Sequence, residues 1–575
     1  VIMATSTFNH VNGLHPRRSR FNLSYGKALD CDMGQLIPSM VKFMVPGDIF
    51  TFHQEIVARP KAPLRAPCFA DINCYSYNFF VPLRILFGES KIDVNGEYEW
   101  DVDDKAFGKF LTGGRTGKDN SVVLPRWVPT GTDIVNDNWN GIPAPGEGED
   151  PNGSNIDDVN VTVKDNGIYS LWDYLEMPTG IIPDGAYPLD FAKRAYNLIY
   201  NEWFLDRNCM VPVAVEANDR VMQATWKKDY FTSMLPWQQR GQAPALPISG
   251  TLPVTFHGFT SVLNSSNYLQ LRVSPNSSGL DNPLFSDGEY LFGADVSDGA
   301  ISKRSGSNLT GSVDLQDAAK IYINDLRVAF QIQRWMEKSA QIGSRYVEYL
   351  RGMYGVSPND DTLQRPMFIG GSKSPVIISE VLQTSADGND GVGSLKGHGI
   401  MADRNYMGRF RANEFGIMMT LSVIRPKAMY HQGIDREYLY SDRYSFYNPA
   451  FVSLSEQAVE VAELYATNDG NVDANDDPVY LGYQGRYNEL RTSHNKVCGA
   501  LRGDQNMSFW AMTRTFASQP ELNGQFLKCI PKKDIFEVVD EPAFVVYFNN
   551  RITAYRPLPV DAQPGFVDHL YGERR

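Results

Sequence analysis

The strongest constraint on the fold of this chain is a strand-like segment near its N-terminus, residues 71–87, which reads DINCYSYNFFVPLRILF. Aromatic and β-branched residues of this kind fit a pleated, half-buried surface. Strands at both ends of a long chain, with other material between them, predict one large β-barrel or sandwich rather than a string of domains. Further strands are predicted by apolar patterning at 41–45, 49–57, 415–425, 536–539 and 543–548.

Two polar stretches separate the predicted strands. Residues 90–167 are acidic and rich in turn residues, and residues 242–319 are rich in Ser, Asn, Gly and Thr. Long stretches without sustained periodicity are typical of elaborated surface loops. Apolar residues at helical spacing predict helices at 190–207, 321–341 and 345–354.

The formal charge of −13 is unevenly distributed along the 575 residues. Residues 89–160 carry a net −9 and residues 467–479 a net −4, so the remainder is close to neutral. The N-terminal end is locally basic, with Arg17, Arg18 and Arg20 in a segment that has no helical period. Because arginines neutralise phosphates without regard to base sequence, these three are the candidate nucleic-acid-binding residues. A solvated terminal arm with no ligand is the alternative interpretation.

Few residues suggest catalysis or metal binding. The eight His form no HExxH pair and the six Cys no CxxC pair, so we expect no zinc site and cysteines that are free and mostly buried. There is no GxSxG nucleophile motif. Residues 473–477 resemble the start of a calcium loop, but Pro478 stands where an EF-hand needs Gly, which leaves open only an irregular Ca²⁺ site. We therefore predict no enzymatic activity and no cofactor, and no apolar run reaches the roughly 18 residues of a membrane helix.

Several longer strings, in one order from about residue 20 to 570, resemble the gokushovirus-like major capsid proteins of the Microviridae. Two of them are FFVPLR at 79–84 and RAYNLIYNEWF at 194–204. The others are GQLIP at 34–38, VPGD at 45–48, DYFTSMLPW at 229–237, INDLR at 323–327, LQRP at 363–366, EQAV at 456–459, GYQ at 482–484 and DHL at 568–570.

The resemblance implies a mainly β fold, a single eight-stranded viral jelly-roll barrel over residues 31–575 whose long inter-strand insertions contain several helices. Residues 1–30 would form an extended N-terminal arm. The insertion at about 90–167 would be an acidic surface loop, and it is longer and more acidic than the family leads us to expect. The insertion at about 242–319 would be a protrusion at a three-fold axis that serves host attachment.

The resemblance also implies the function: the major capsid protein of a small icosahedral single-stranded DNA phage, sixty copies of which close a T=1-like shell. The expected partners are other copies of the chain, the single-stranded DNA genome, phage scaffolding, DNA-pilot and small basic DNA-binding proteins, and a host cell-surface receptor. The protein would reside in the virion after assembly in the host bacterial cytoplasm. The alternative is a carbohydrate-binding or glycan-cleaving β-sandwich protein of a phage surface; glycan cleavage needs two carboxylates about 5–9.5 Å apart in a cleft.

Overall fold

The computed structural model divides the chain into two compact units, Val1–Arg240 with Lys338–Arg575, and Gly241–Glu337. The structure describes residues 17–94, 96–116, 118–136, 161–182, 185–241, 243, 259–263, 269–273, 284–286, 291–297, 300–303, 323–342, 345–382, 395–468, 471, 478–503, 505–539 and 541–560.

The described chain is mainly β, with few helices. Its strands are β1 Ser19–Asn22, β2 Tyr25–Cys31, β3 Ile37–Met44, β4 Ile49–Pro60, β5 Ile72–Pro82, β6 Gly88–Ile92, β7 Tyr98–Val102, β8 Asp133–Asn136, β9 Val161–Lys164, β10 Phe259–Leu263, β11 Leu269–Val273, β12 Leu284–Ser286, β13 Leu291–Ser297, β14 Ala300–Lys303, β15 Met367–Pro375, β16 Ile377–Leu382, β17 Leu395–Arg411, β18 Gly416–Pro426, β19 Met429–Tyr430, β20 Glu456–Glu460, β21 Tyr480–Gly485, β22 Asn495–Lys496 and β23 Phe544–Arg556. Its α-helices are α1 Ala106–Thr112, α2 Leu171–Tyr174, α3 Phe191–Ile199, α4 Ile323–Ile342, α5 Tyr346–Tyr354 and α6 Gly524–Leu527.

Two antiparallel sheets form the centre of the first unit. One has the order β1-β23-β4-β17-β16, with β2 also paired to β23, and the other has the order β15-β5-β18-β3. The long strands pair from the outside of the sequence inward: β2 with β23, β3 with β18, β4 with β17 and β5 with β15. Successive pairs of strands therefore belong alternately to the two sheets, which enclose a common core.

The core between the sheets follows from strand alternation. Along β4, Phe50, Phe52, Ile56 and Ala58 are buried while the residues between them reach solvent. Met418 on the facing sheet is buried in the same apolar cluster as Phe50 and Phe52. Strands β5 and β18 are buried along nearly their whole length, as expected for strands covered on both faces.

Helix α3 lies in the connection between β5 and β15. It and the turn that follows it contact other segments that resemble the capsid family. The hydroxyl of Tyr196 donates to the carbonyl of Leu36 at 2.8 Å. The indole Nε1 of Trp203, in the π-helical turn after α3, donates to the carbonyl of Pro366 at 3.0 Å, and the guanidinium of Arg365 lies 4.3 Å from the centre of that Trp ring. The family-like segments therefore have a structural role, because their contacts hold the long connection between β5 and β15 against the sheets.

Most of the predicted elements are confirmed. The helices predicted at 190–207, 321–341 and 345–354 correspond to α3, α4 and α5, and the strands predicted at 415–425 and 543–548 to β18 and β23. All six cysteines are free; Cys31, Cys74 and Cys529 are buried. None of the helices in the described ranges is long and apolar enough to cross a membrane.

One expectation needs correction, and some of the strands were not expected. The strand predicted at 536–539 is wrong: Phe536 is buried and forms a single bridge to Leu64, so its apolar character reflects core packing in a loop. Strands β15 to β17 were not predicted, because glycines and polar residues interrupt their alternation. Within the predicted extended arm, residues 1–30, strands β1 and β2 both pair with β23; residues 1–16 lie outside the described residues, and the arm as a separate segment stays a prediction.

The two predicted insertions fall in one connection, residues 83–366, between β5 and β15. Within 90–167 the structure describes strands β7 to β9 and helix α1, and residues 137–160 lie outside the described residues. Within 242–319 it describes the antiparallel pairs β10–β11, β12–β13 and β13–β14. The remainder of that insertion lies outside the described residues.

Candidate nucleic-acid interface

The outward side of the six-stranded sheet carries a concentration of arginines. In an antiparallel sheet alternate residues point to opposite faces, so every second residue of β1, β23, β4 and β17 shares the face away from the core. We call this surface the basic face. It comprises the exposed arginines Arg20, Arg59, Arg404, Arg409, Arg411 and Arg551 with His53, Tyr406, Tyr547 and Tyr555.

The strand register brings these side chains into rows across the sheet. In one row Arg20 stands opposite Tyr555, which stands opposite Ile49, which stands opposite Arg411. With about 4.8 Å between neighbouring strands, the two arginines at the ends of this row are roughly 14 Å apart. The face therefore presents separated positive charges along a surface, as an extended polyanion would require.

A β-bulge decides which arginines of β17 face outward. The register of β17 against β4 shifts between Tyr406 and Gly408, and the extra residue, Met407, is buried in the core. Without this extra residue, Tyr406 and Arg409 would point to opposite faces. Gly408 has a φ of +115°, and a Cβ at this position would lie 2.9 Å from Cγ2 of Ile369; the bulge therefore requires glycine here.

The positive charge of the basic face is only partly neutralised. The carboxylate of Glu55 forms one ion pair with Arg551 at 2.8 Å and another with Arg404 at 3.4 Å. Arg20, Arg59, Arg409 and Arg411 form no ion pair with another residue that the structure describes. On β2 the same side carries Asp30, which pairs with Lys61 at 2.9 Å.

Aromatic rings are interleaved with these charges. Tyr406 is 58% exposed, Tyr547 47% and Tyr555 41%. The His53 ring lies 5.2 Å from that of Tyr406. Basic side chains that follow a phosphate backbone, combined with aromatic rings on which bases stack, are the usual components of surfaces that bind single-stranded nucleic acid.

The three arginines predicted from the sequence are only partly brought together. Arg20 lies on β1 within the basic face, whereas Arg17 and Arg18 precede β1 and are exposed. The side chain of Arg18 lies against Gly47, in the turn between β3 and β4. Sequence reasoning missed the other five arginines. The alternation in Arg409-Phe410-Arg411 was the one available signal; Arg59 and Arg551 stand alone in the sequence.

One small cavity in the described part of the chain brings two carboxylates together with an arginine. A small cavity of about 70 Å³ is lined by Glu463 and Glu489. Arg436 lies between these carboxylates, 2.7 Å from an oxygen of Glu463 and 4.0 Å from one of Glu489. Burial raises the pKa of the Glu463 carboxyl, and Arg436 opposes that shift.

Within the described ranges, no group of three or more His, Cys, Asp or Glu side chains is arranged to hold a metal ion. The calcium-loop-like string at 473–477 lies outside the described residues, so the irregular Ca²⁺ site stays a prediction.

Comparison with known proteins gives matches along nearly the whole chain. The profile of a family described as "Capsid protein (F protein)" matches residues 9–107 and 128–566, and the gap falls inside the acidic insertion. The chain is 30% identical to Capsid protein VP1 of Chlamydia phage 1 over 97% of both chains. It is 28% identical to Capsid protein VP1 of Bdellovibrio phage phiMH2K, over 91% of this chain and 90% of that one, and 27% identical to Capsid protein VP1 of Spiroplasma virus 4, over 97% of both.

Proposed function

Because this chain belongs to the capsid protein (F protein) family, we propose that it is the major capsid protein of a small icosahedral single-stranded DNA phage. As a capsid protein it is a structural component of the virion and not an enzyme, so the glycan-cleaving alternative is wrong. Its first partner is another copy of itself. Sixty copies would close a T=1-like shell, with the help of scaffolding, DNA-pilot and small basic DNA-binding proteins.

The proposed fold of each copy is a single eight-stranded jelly roll. Strands β2, β3, β4, β5, β15, β17, β18 and β23 would be its eight strands in chain order. Pairing of the first with the eighth, second with seventh, third with sixth and fourth with fifth supports this assignment. It is the pairing of a long antiparallel hairpin rolled up into two facing sheets, the architecture of many viral capsid domains.

The genome would lie against the basic face. The observation that carries this proposal is the combination of six exposed arginines, one neutralising carboxylate on the same strands and three exposed tyrosines on one side of one sheet. Contacts of arginine with phosphate are independent of base sequence, and stacking on tyrosine tolerates any base. Both properties suit a shell that must enclose a whole genome. Arg17 and Arg18 would extend the same contacts from the arm.

Host attachment is proposed for the insertion at about 242–319, which would form the three-fold protrusion. Its polar composition supports a solvent-facing role, and it belongs to a compact unit that is separate from the two sheets. Carbohydrate binding, left open by the sequence, would then be one form of receptor recognition by this insertion.

The test is to image purified particles and to measure their contents. We expect icosahedral shells that contain sixty copies of one dominant chain of 64.5 kDa and nuclease-protected circular single-stranded DNA. A chain that forms only monomers or dimers under every assembly condition, including co-expression with its scaffolding protein, would contradict the proposal.

A further inference from the structure

An aromatic segment at 438–454, in the connection between β18 and β23, exposes unusually large apolar side chains. We call it the aromatic loop. Tyr438 is 80% exposed, Phe446 60%, Tyr447 57% and Tyr444 50%. Val452 and Leu454 are 44% and 52% exposed.

The exposed area is large for a protein that stays alone. At about 200 Å² for an aromatic side chain, these four aromatic residues leave about 500 Å² accessible. The largest apolar patch on a typical monomer is about 300–600 Å² and such patches mark interaction sites; the exposed area summed over these four residues is comparable. The aliphatic side chains of Val452 and Leu454 add to it.

The aromatic loop is held in place by hydrogen bonds, most of them with Tyr487 and Arg486, which follow β21. The hydroxyl of Tyr487 donates to the carbonyl of Phe446 and accepts from the backbone N–H of Asn448, both at 3.2 Å. The guanidinium of Arg486 donates to the carbonyl of Tyr444 at 3.1 Å. The side chain of Asp442 accepts from the backbone N–H of Tyr444 at 2.8 Å.

Tyr487, whose hydroxyl holds the aromatic loop, is itself fixed in position by burial and by ring packing. Tyr487 is buried and has a φ of +61°, which is uncommon for a residue with a side chain. Its ring packs against that of Tyr447 at 5.0 Å. A surface that is ordered before binding loses less conformational entropy when it is covered.

The charge of the aromatic loop limits what can cover it. Asp442 and Arg443 are its only charged residues, so its net charge is zero. A neutral apolar surface has little attraction for a polyanion, which argues against DNA. Aromatic residues are enriched, and charged ones depleted, at the centres of interfaces between proteins.

We propose that the aromatic loop binds a second copy of this chain and forms part of a permanent contact between neighbouring subunits. This inference rests on the proposed function, because a shell of identical subunits places copies against one another. Stable interfaces bury about 800 Å² on each partner, and about 500 Å² from four aromatic residues supplies more than half of that.

The test places a photo-crosslinking amino acid, p-benzoylphenylalanine, at position 446 in assembled particles. We expect irradiation to give a product of two 64.5 kDa chains, identified by mass spectrometry as this chain joined to itself. The matched control is the same replacement at Tyr406, which is similarly exposed (58%) but lies on the basic face. A product that joins position 446 to a scaffolding or other particle protein overturns the inference, as do equal yields of the two-chain product from both positions.

A second test uses the double variant Phe446→Glu, Tyr447→Glu, with Phe446→Leu, Tyr447→Phe as the conservative control. The glutamate variant should lower particle yield at least tenfold and the unfolding temperature of the chain only slightly, because both side chains are more than half exposed although the ring of Tyr447 packs against that of Tyr487. The conservative variant should assemble normally. Normal assembly of the glutamate variant overturns the inference. If the wild-type chain itself forms no particles, it is the proposed function that fails.

Discussion

At the scale of single residues, the buried ion pair between Asp32 and Lys533 connects segments about 500 residues apart in sequence. Lys533 and Asp32 are both fully buried and form an ion pair. Lys533 also donates to the carbonyls of Glu541 at 3.2 Å and Val539 at 3.4 Å. Burial raises the pKa of Asp32, and Lys533 opposes that shift. The charge of each partner is tolerated only because the other is present.

Lys533→Met should therefore destabilise the protein strongly. Removing one partner leaves the other charge buried and uncompensated, which costs about 3–5 kcal/mol. The matched control is Lys61→Met, which breaks the partly exposed pair with Asp30 and should cost at most about 1 kcal/mol. Urea unfolding of the isolated chain measures both. A similar loss of unfolding free energy in the two variants would show that burial of the Lys533–Asp32 pair does not determine its contribution to stability.

His494 provides a pH dependence whose sign follows from its surroundings. Its ring packs against Phe231 at 5.1 Å and Tyr430 at 5.6 Å. Burial lowers its pKa, opposed by Asp435 at 3.6 Å and by the more distant Asp229; Lys496 lowers the pKa further.

Since the pKa of His494 is lower in the folded than in the unfolded chain, the unfolded chain takes up the proton first as pH falls. Its contribution to stability is present above the usual histidine pKa, about 6.5, and is lost as pH falls through the lower, folded value. His494→Gln should reduce the fall in unfolding free energy between about pH 7.5 and about pH 5. An unchanged fall in the variant would contradict this assignment.

At the scale of elements, β17 is the strand that turns the sheet into a candidate binding surface. It contributes Arg404, Arg409 and Arg411 to the basic face, and its bulge at Met407 keeps all three on the outward side. The periodicity of the sequence did not reveal this strand, because a bulge breaks the alternation from which strands are recognised. Helices α3 to α5 were predictable because their apolar spacing is local and uninterrupted.

Arg409→Gln, Arg411→Gln should weaken binding of a single-stranded oligonucleotide in a salt-dependent way. Each lost phosphate contact lowers the slope of log affinity against log salt by about 0.7 for single strands, so the double variant should lose about 1.4. The control is Arg491→Gln, Arg502→Gln, two exposed arginines outside the six-stranded sheet. Fluorescence anisotropy over a salt series measures the slopes, and equal slopes in both double variants would remove the basic face from consideration.

At the scale of the whole molecule, very long connections join the strands of the two large sheets. Residues 83–366 join β5 to β15, and residues 427–543 join β18 to β23. The entropic cost of closing a loop grows slowly with its length. Insertions of this size therefore lower the stability of the sheets little. This allows surface properties to change while the sheets persist.

Deletion of residues 242–319, bridged by a short Gly/Ser linker, should leave particles intact and reduce adsorption to the host. The reason is that the unit Gly241–Glu337 is compact by itself, so the strand pairing of the sheets does not depend on it. Particle yield and the fraction of particles bound to host cells are the two measurements. Unchanged adsorption would exclude the attachment role, and loss of particles would assign the insertion to assembly.

Local sequence patterns were enough to predict the mainly β character, helices α3 to α5, the free cysteines and the family, because propensity, apolar spacing and long motifs are properties of neighbouring residues. The sequence also indicated one member of the candidate site, Arg20. The pairing of the strands was needed to show that Arg20 shares a face with Arg411, whereas Arg17 and Arg18 precede β1. The physical reason is that a face is defined by the register of hydrogen-bonded strands far apart in sequence, and one bulged residue, Met407, reverses which side chains reach it.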